Sequence, residues 1–299
     1  MRWIVPVALA LTLVGCSRGA KKEAVASRAA ASQAAVVEQP AAPPLKVSGG
    51  YLGFDRNEYP GDDVMAQMKA KFSWVGYWLT VPPGAQFNEW SGKRDVLLKQ
   101  GWGFLLLANG KLEKEILMGQ SSGISPEAQG KQDAIDAVSA AKNEGFPAHA
   151  ILFLDQEEGG RLTDVQAKYL LAWTETVATT TYRPGVYASG QPVPDDENIT
   201  TVNDIRARVK AGHLHEVAIF DTQDACGPSN GCTMTPKPLS EAGEPSLNSW
   251  QYSQSPQRPD ITKSCAKTYA PDGKCYAPGF PKVFLDLDLA ASADPSAGR

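Results

Sequence analysis

The chain has 299 residues, a formal net charge of −4, 42% hydrophobic and 21% charged residues. That length holds one large domain or two small ones. The acidic balance argues against nucleic acid as a partner, because phosphate binding needs a basic surface.

The amino end reads as a leader. Met1-Arg2 precede an apolar run over residues 3–14, followed by Gly15-Cys16. A basic end, an apolar core and a small residue before a cut make a secretory signal over residues 1–15. The run is too short to span a bilayer comfortably, so the mature protein is expected to be anchored, not threaded. Leu13-Val14-Gly15-Cys16 resembles a bacterial lipobox. The resemblance implies cleavage before Cys16, a lipid on its sulfur, and a membrane-anchored protein on the periplasmic or extracellular face of the bacterial cell envelope. Residues 16–49 are rich in Ala, Ser, Gln and Pro and lack an apolar period, which predicts a disordered tether. Leader and tether carry +1 and +3, which leaves −8 for residues 50–299.

The first strand is expected over residues 50–55 and ends in Asp55. A helix opens at Pro60-Gly61-Asp62-Asp63, with Val64, Met65 and Met68 at helical spacing. A second, aromatic-rich strand covers 72–79 and breaks at Val81-Pro82-Pro83-Gly84. A helix near 93–100 and a third strand over 103–108 follow. A loop from Asn109 leads to a long helix over 126–144, ended by Gly145-Phe146-Pro147. The fourth strand, Ile151-Leu152-Phe153-Leu154, runs straight into Asp155-Gln156-Glu157-Glu158. An unbroken apolar run of this kind is a strand buried on both faces. Alternation along the chain puts Asp155 and Glu157 on one side and Glu158 on the other.

Beyond it come a helix over 163–180, a fifth strand over 185–189, a helix over 202–210 and a sixth strand over 216–221. The segment 222–247 is long and polar. A seventh strand is expected over 249–253 and an eighth over 282–288, and residues 291–299 read as a disordered tail. Eight short strands with mostly helical connections in this length predict an α/β fold. The specific expectation is a single-domain (β/α)8 TIM-type barrel over residues 50–290, with two cysteine-bearing loop insertions. An open doubly wound sheet is the alternative, but no Gly-rich nucleotide fingerprint follows the first strand.

Cys226, Cys232, Cys265 and Cys275 fall in two close pairs inside loop-like stretches. In an exported protein such pairs favour local disulfides, Cys226–Cys232 and Cys265–Cys275, with the two other connectivities open. Neither spacing suits a zinc site. His213 and His215 are two apart with no third ligand in view. No metal and no cofactor are expected.

A barrel of this kind carries acids at the carboxyl ends of strands one, four and eight: Asp55, Asp155 with Glu157, and Asp286 with Asp288. Carboxylates facing one cavity cannot all ionise cheaply, so one keeps a proton while a neighbour stays charged. Glycosidic cleavage needs that split: an acid for the leaving oxygen and a carboxylate that stabilises an oxocarbenium-like state. Tyr77 or Trp78, Tyr187, Trp250 and Tyr252 lie in or near strand ends and supply rings that pack on pyranose faces. Asp221 ends strand six and either joins the mouth or caps a loop.

Asp55 after an apolar strand, Asp155-Gln156-Glu157, Gly185-Val186-Tyr187-Ala188-Ser189, Trp250-Gln251-Tyr252 and Leu285-Asp286-Leu287-Asp288 occur in that order. In this the sequence resembles the glycoside hydrolase family 25 lysozymes, and more closely the bacterial glycoside hydrolase-like domains of the DUF1906 group. The resemblance implies a β/α barrel that cleaves the β-1,4 link after N-acetylmuramic acid in cell-wall glycan. It implies Glu157 as general acid, Asp155 as the residue that orients or stabilises the reacting centre, and Asp55 and Asp286 as the rest of the acidic mouth. Tyr187 and Trp250 would line it. The pattern departs at Arg56-Asn57, at Asp288 and in the inserts 222–247 and 254–280. The expected function is an envelope glycosidase hydrolysing or recognising peptidoglycan or another surface glycan. The alternative is a catalytically inactive glycan-binding lipoprotein.

Overall fold

The computed structural model describes residues 44–193, 198–263, 265 and 268–299. The expected leader, Cys16 and the tether up to residue 43 lie outside the described residues. The fold is that of the unit from Ala41 to Arg299.

A two-residue strand, β1 (Lys46–Val47), pairs antiparallel with β2 (Gly50–Asp55) across a tight turn. The end of the expected tether therefore belongs to the domain. The staves that follow are β3 (Trp74–Trp78), β4 (Gly103–Asn109), β5 (Ile151–Asp155), β6 (Arg183–Ser189), β7 (Ala218–Thr222) and β8 (Ser249–Ser253). From β2 to β8 each pairs in parallel with the next. A short strand, β9 (Cys275–Ala277), pairs with the first half of β10 (Phe280–Ala290). β10 then closes the barrel by pairing with both β8 and β2, so eight strands form the closed wall.

Both closing pairings are antiparallel. The eighth stave was expected to be another parallel unit, with its acids at its carboxyl end. Its reversal brings the amino half of β10 to the mouth, with Asp286 directly across from Asp55 and Asp288 across from Gly53.

Helices fill the early crossovers: α1 (Asp62–Met68), α2 (Arg94–Lys99), α3 (Glu113–Ser121), α4 (Pro126–Asn143), α5 (Asp164–Ala178) and α6 (Thr201–Ala211). The later connections are long loops with only a 3-10 turn at Leu239–Glu241 and the four-residue α7 (Pro259–Thr262). At α4 the Ser125 hydroxyl accepts from the Ala128 amide and Pro126 takes the first helical position, where its missing N–H costs nothing. Gly130 on its inner face lets α5 approach: a Cβ there would sit 2.2 Å from the Tyr169 carbonyl oxygen. Helix α3 replaces part of the expected loop after Asn109. It buries only Ile116 and leaves Leu117 and Met118 exposed, so its apolar period is faint in the sequence.

The expected disordered tail is instead packed beneath the barrel. Ser296, fully buried, donates its amide to the Phe104 carbonyl and accepts from the Ile151 amide through its own carbonyl, both at 2.8 Å. Its hydroxyl accepts from the Leu106 amide at 2.9 Å, and Asp294 accepts from the Phe104 amide. The last residues thus wedge between the amino ends of β4 and β5, supplying partners for backbone groups that would otherwise be buried without them. Gly103 makes room, since a Cβ there would lie 1.9 Å from the Ala293 oxygen.

The disulfides are Cys226–Cys265 and Cys232–Cys275, not the two local pairs. The sequence-local cysteines lie in two loops packed side by side, and each bridge ties one loop to the other. Bridges closing 39 and 43 residues constrain the unfolded chain more than short local ones. Digestion without reductant is expected to yield linked peptides 226–265 and 232–275. Replacing Cys232 and Cys275 with Ala should cost about 2–4 kcal/mol in chemical denaturation. Recovery of a 226–232 linked peptide would contradict this arrangement.

Candidate active site

The carboxyl ends of the parallel strands and the amino half of β10 surround a cavity of about 100 Å3 that opens to solvent. Its walls include Asp55, Asp155, Glu157 and Asp286, with Tyr187, Trp78, Gln251, Gln254 and Asn57, over a floor of Leu107 and Phe220. Residues far apart in the chain therefore bring four carboxyl groups to one rim.

Strand alternation decides which side chains arrive. On β3, Trp78 lines the cavity. Its ring N–H donates to the Arg56 carbonyl at 3.1 Å. Tyr77, expected as a sugar-binding ring, faces the opposite way. It is fully buried among Trp90, Phe104 and Phe146 and donates to Glu144 at the end of α4 at 2.8 Å. Gly76 is required beside Asp55, because a Cβ there would lie 2.4 Å from the Asp55 Cβ.

The same parity corrects β8. Trp250 and Tyr252 share a face, as expected, but it is the outer face. Trp250 is fully buried and donates to the Gln223 carbonyl at 2.8 Å; Tyr252 donates to the Thr233 carbonyl at 2.7 Å. Both rings pack beneath the loop between β7 and β8 and neither lines the cavity. Between them, Gln251 points inward. Its amide oxygen accepts from Tyr187 at 2.8 Å and Thr222 at 3.0 Å, which turns its nitrogen toward Asp55 at 2.9 Å. Gln254 donates in turn to the Tyr187 hydroxyl at 2.9 Å. One directed chain of donors thus runs Gln254, Tyr187, Gln251, Asp55. The sequence reading did not single out Gln251 or Gln254. The available signal was a polar residue between two aromatics in a buried strand.

Beyond β5 the acids separate as alternation predicts. Glu157 stands at the open rim, although protein surrounds most of its carboxyl group. Glu158 points away and accepts from the Glu113 amide at the start of α3 and from Gln166, both at 2.7 Å. It orders that helix end and takes no part in the cavity. Asp221 is fully buried on the outer side of β7, beside Gly190, Glu244 and Arg206. It does not line the mouth. The Gly190 amide nearby is already committed to the Thr222 carbonyl.

The electrostatics follow from burial. Loss of solvent pushes Asp55 up to about 7; the bond from Gln251 and a contact with Asp288 oppose this, and the Glu157 charge adds to it. Burial raises Asp155 well above the usual carboxylate range, and the charges of Glu157 and Asp55 reinforce that. The side-chain contact with Glu157 also favours its protonated form. Burial also raises Glu157, opposed by the bond with Asp155 and by the positive charge of Arg258. Asp286 is raised by burial and by Asp55, although its carboxylate accepts from the Ser255 amide at 2.5 Å. Asp288 lies one step deeper, fully buried, and among the described residues no N–H or hydroxyl donor reaches either oxygen. Burial and the neighbouring acids Asp55 and Asp286 push its proton affinity well above the usual carboxylate range.

The family described as "Rv2525c-like, glycoside hydrolase-like domain" matches residues 87–237, half of the chain. No curated protein matches. An uncharacterised protein of B. stearothermophilus is similar at 20% identity and a TM-score of 0.52, over 81% of this chain and 96% of its own. The Tat-secreted protein Rv2525c of Mycobacterium tuberculosis, solved with L-tartrate, matches at 13% identity and a TM-score of 0.48, over 80% of this chain and 95% of its own. The modular autolysin LytC of Streptococcus pneumoniae, solved with a synthetic peptidoglycan ligand, matches at 11% identity and a TM-score of 0.48, over 82% of this chain and 47% of its own. The first of these shows a shared fold.

The raised acids bind protons more tightly in the folded chain than in the unfolded one. Folding therefore takes up protons, and the stability they contribute is lost as pH rises from the ordinary aspartate value of 3.8 through about 7. Melting temperature should fall between pH 5 and pH 8, by an amount equivalent to a few kcal/mol, on the order expected for such shifts. Asp288→Asn keeps the shape, removes one titrating group and should flatten the slope. A melting temperature that climbs over this range would contradict the assignment.

Proposed function

The chain belongs to the Rv2525c-like, glycoside hydrolase-like family, and from that premise we propose that its acidic cleft hydrolyses or recognises a β-1,4-linked cell-wall glycan of the peptidoglycan type. The observation that carries the reading is the shared cavity of Asp55, Asp155, Glu157 and Asp286, with its graded proton affinities.

Glu157 combines the two properties of a general acid. It is accessible at the rim, and its surroundings favour the protonated form. It would protonate the leaving oxygen. Asp155, whose protonated form the contact with Glu157 favours, would stabilise the carboxylate that remains. Asp55, fixed by Gln251, titrates close to neutral pH, and its ionised form would oppose the positive charge developing on the sugar. Tyr187 and Trp78 offer ring surface and a hydroxyl to the bound sugar.

The raised proton affinity of Asp155, Asp286 and Asp288 also suits a glycan-binding lipoprotein without turnover, since protonated carboxyls donate to sugar hydroxyls. The two cross-loop disulfides support an oxidising, extracytoplasmic location, and anchoring through a lipid on Cys16 is part of the proposal. Among the described residues no helix is long and apolar enough to cross a membrane.

Glu157→Gln is expected to keep its melting temperature and its affinity for insoluble cell-wall glycan. Release of reducing ends should fall by about a hundredfold or more, the scale of general-acid catalysis. Hydrolysis by that variant at the wild-type rate would remove Glu157 from the role. A wild-type protein that retains glycan yet releases no reducing ends would establish the binding-only form.

A further inference from the structure

The acidic mouth occupies one end of the barrel, and the opposite end has the opposite character. Where a helix hands over to each strand from β3 to β7, a lysine or arginine stands: Lys71, Lys99, Lys142, Arg183 and Lys210. All five are exposed, and among the described residues none has an ion pair or a side-chain hydrogen bond. One lysine at a helix end complements the helix dipole. Five on one face, in a domain of charge −8, gather cations where the whole carries the other sign. The acids of that face are mostly engaged within the fold. Glu144 accepts from Tyr77, Ser91 and the Gly92 amide, Glu175 holds His215, and Asp294 accepts from the amides of Phe104 and Arg299. Glu216 is exposed.

The same face carries apolar surface. A groove of about 670 Å3 lies between the end of α6 and the start of β7, lined by Val209, Leu214, Val217 and Ile219, with Lys210 and His213 at its rim. It is open because the connection from β7 to β8 holds only a 3-10 turn, where a regular barrel would pack a helix beside α6. Leu45, 58% exposed, adds a second apolar side chain at this end, its carbonyl accepting from Ser73 just before β3. Leu45 and Lys46 are also where the chain enters the domain, on the side of the expected tether.

We infer that this face is a membrane seat: it rests on a surface of anionic phospholipid, its cations among the headgroup phosphates and its apolar groove and Leu45 at the boundary with the acyl chains. The mouth, at the far end of the strands, is then turned away from the bilayer. The inference rests on the reading of the chain as lipid-anchored and adds the orientation of the domain. A flexible tether keeps a domain near a bilayer without fixing which way it points. The charge difference between the two ends fixes it, since the leaflet that attracts the cationic end repels the acidic remainder.

The test uses the full-length protein purified from membranes and reconstituted on vesicles, either pure phosphatidylcholine or three parts phosphatidylglycerol to seven of phosphatidylcholine. A polarity-sensitive dye is placed on Ala211→Cys, beside the groove, or on Ala85→Cys, in the loop after β3 at the mouth end. Flotation reports anchoring independently of the dye. On the anionic vesicles the dye at 211 should shift to the blue and be quenched by lipids brominated on the acyl chain, while the dye at 85 stays in water. Pure phosphatidylcholine should leave both in water. Salt at about 1 M, where the screening length is about 3 Å, should return the dye at 211 to water while the protein still floats. Replacing Lys71, Lys99 and Lys142 with Gln should lower the ratio of seated to free domain by about fivefold per cation, with melting temperature unchanged. A floating protein whose dye at 211 stays in water on anionic vesicles, or responds equally on both kinds, or whose dye at 85 enters the bilayer, overturns the seat. A protein that does not float overturns the anchor reading and the seat with it.

Discussion

The antiparallel closing strand governs this molecule. With β10 reversed, its amino half meets the mouth, and the register sets Asp286 across from Asp55. Asp288, on the same face, falls one step lower against the barrel interior. A parallel eighth stave would have carried both acids toward the mouth at its far end. The neighbouring strands accommodate this arrangement. Gly76 yields space to Asp55, and Gly53 lies beneath the Trp74 ring, 2.2 Å from where its own Cβ would be.

Acids inside and outside the mouth solve the cost of burial differently. Outside it, Glu244 and Asp204 are supplied with partners. Glu244 accepts from Thr200, Asn203 and Arg206, and Asp204 accepts from Arg208 and the Leu162 amide. Within the mouth, partners are few and protons take their place. Asp55 is the intermediate case. One amide donor, oriented by the Tyr187 and Thr222 hydroxyls, keeps it closer to ionisation than Asp155 or Asp286. The hydrogen bonds among wall residues therefore set the chemistry of the carboxyl group beside them.

Much of this was legible from residue patterns. Apolar runs ending in acids mark Asp55 and Asp155, and alternation separates Glu157 from Glu158. The barrel follows from the count and spacing of such runs. Parity relative to the core was not legible where both faces of a strand are apolar. Tyr77 against Trp78, and Trp250 with Tyr252 against Gln251, are equally buried in a stave covered on both sides. The reversed sense of β10 leaves no trace in its composition, and disulfide pairing depends on which loops pack together. The carboxyl-terminal residues are small and polar, which reads as loose chain. Their order comes from backbone groups of β4 and β5 that only the assembled barrel presents.

The seam between β2 and β10 also bears on how such a molecule comes into being. Its first and last staves are neighbours, so the folding chain carries two raw sheet edges until its final strand is available. Contacts of such long sequence separation form slowly. A chain that ends before β10 leaves an unclosed sheet without Asp286 and Asp288, its β2 and β8 edges both unpaired.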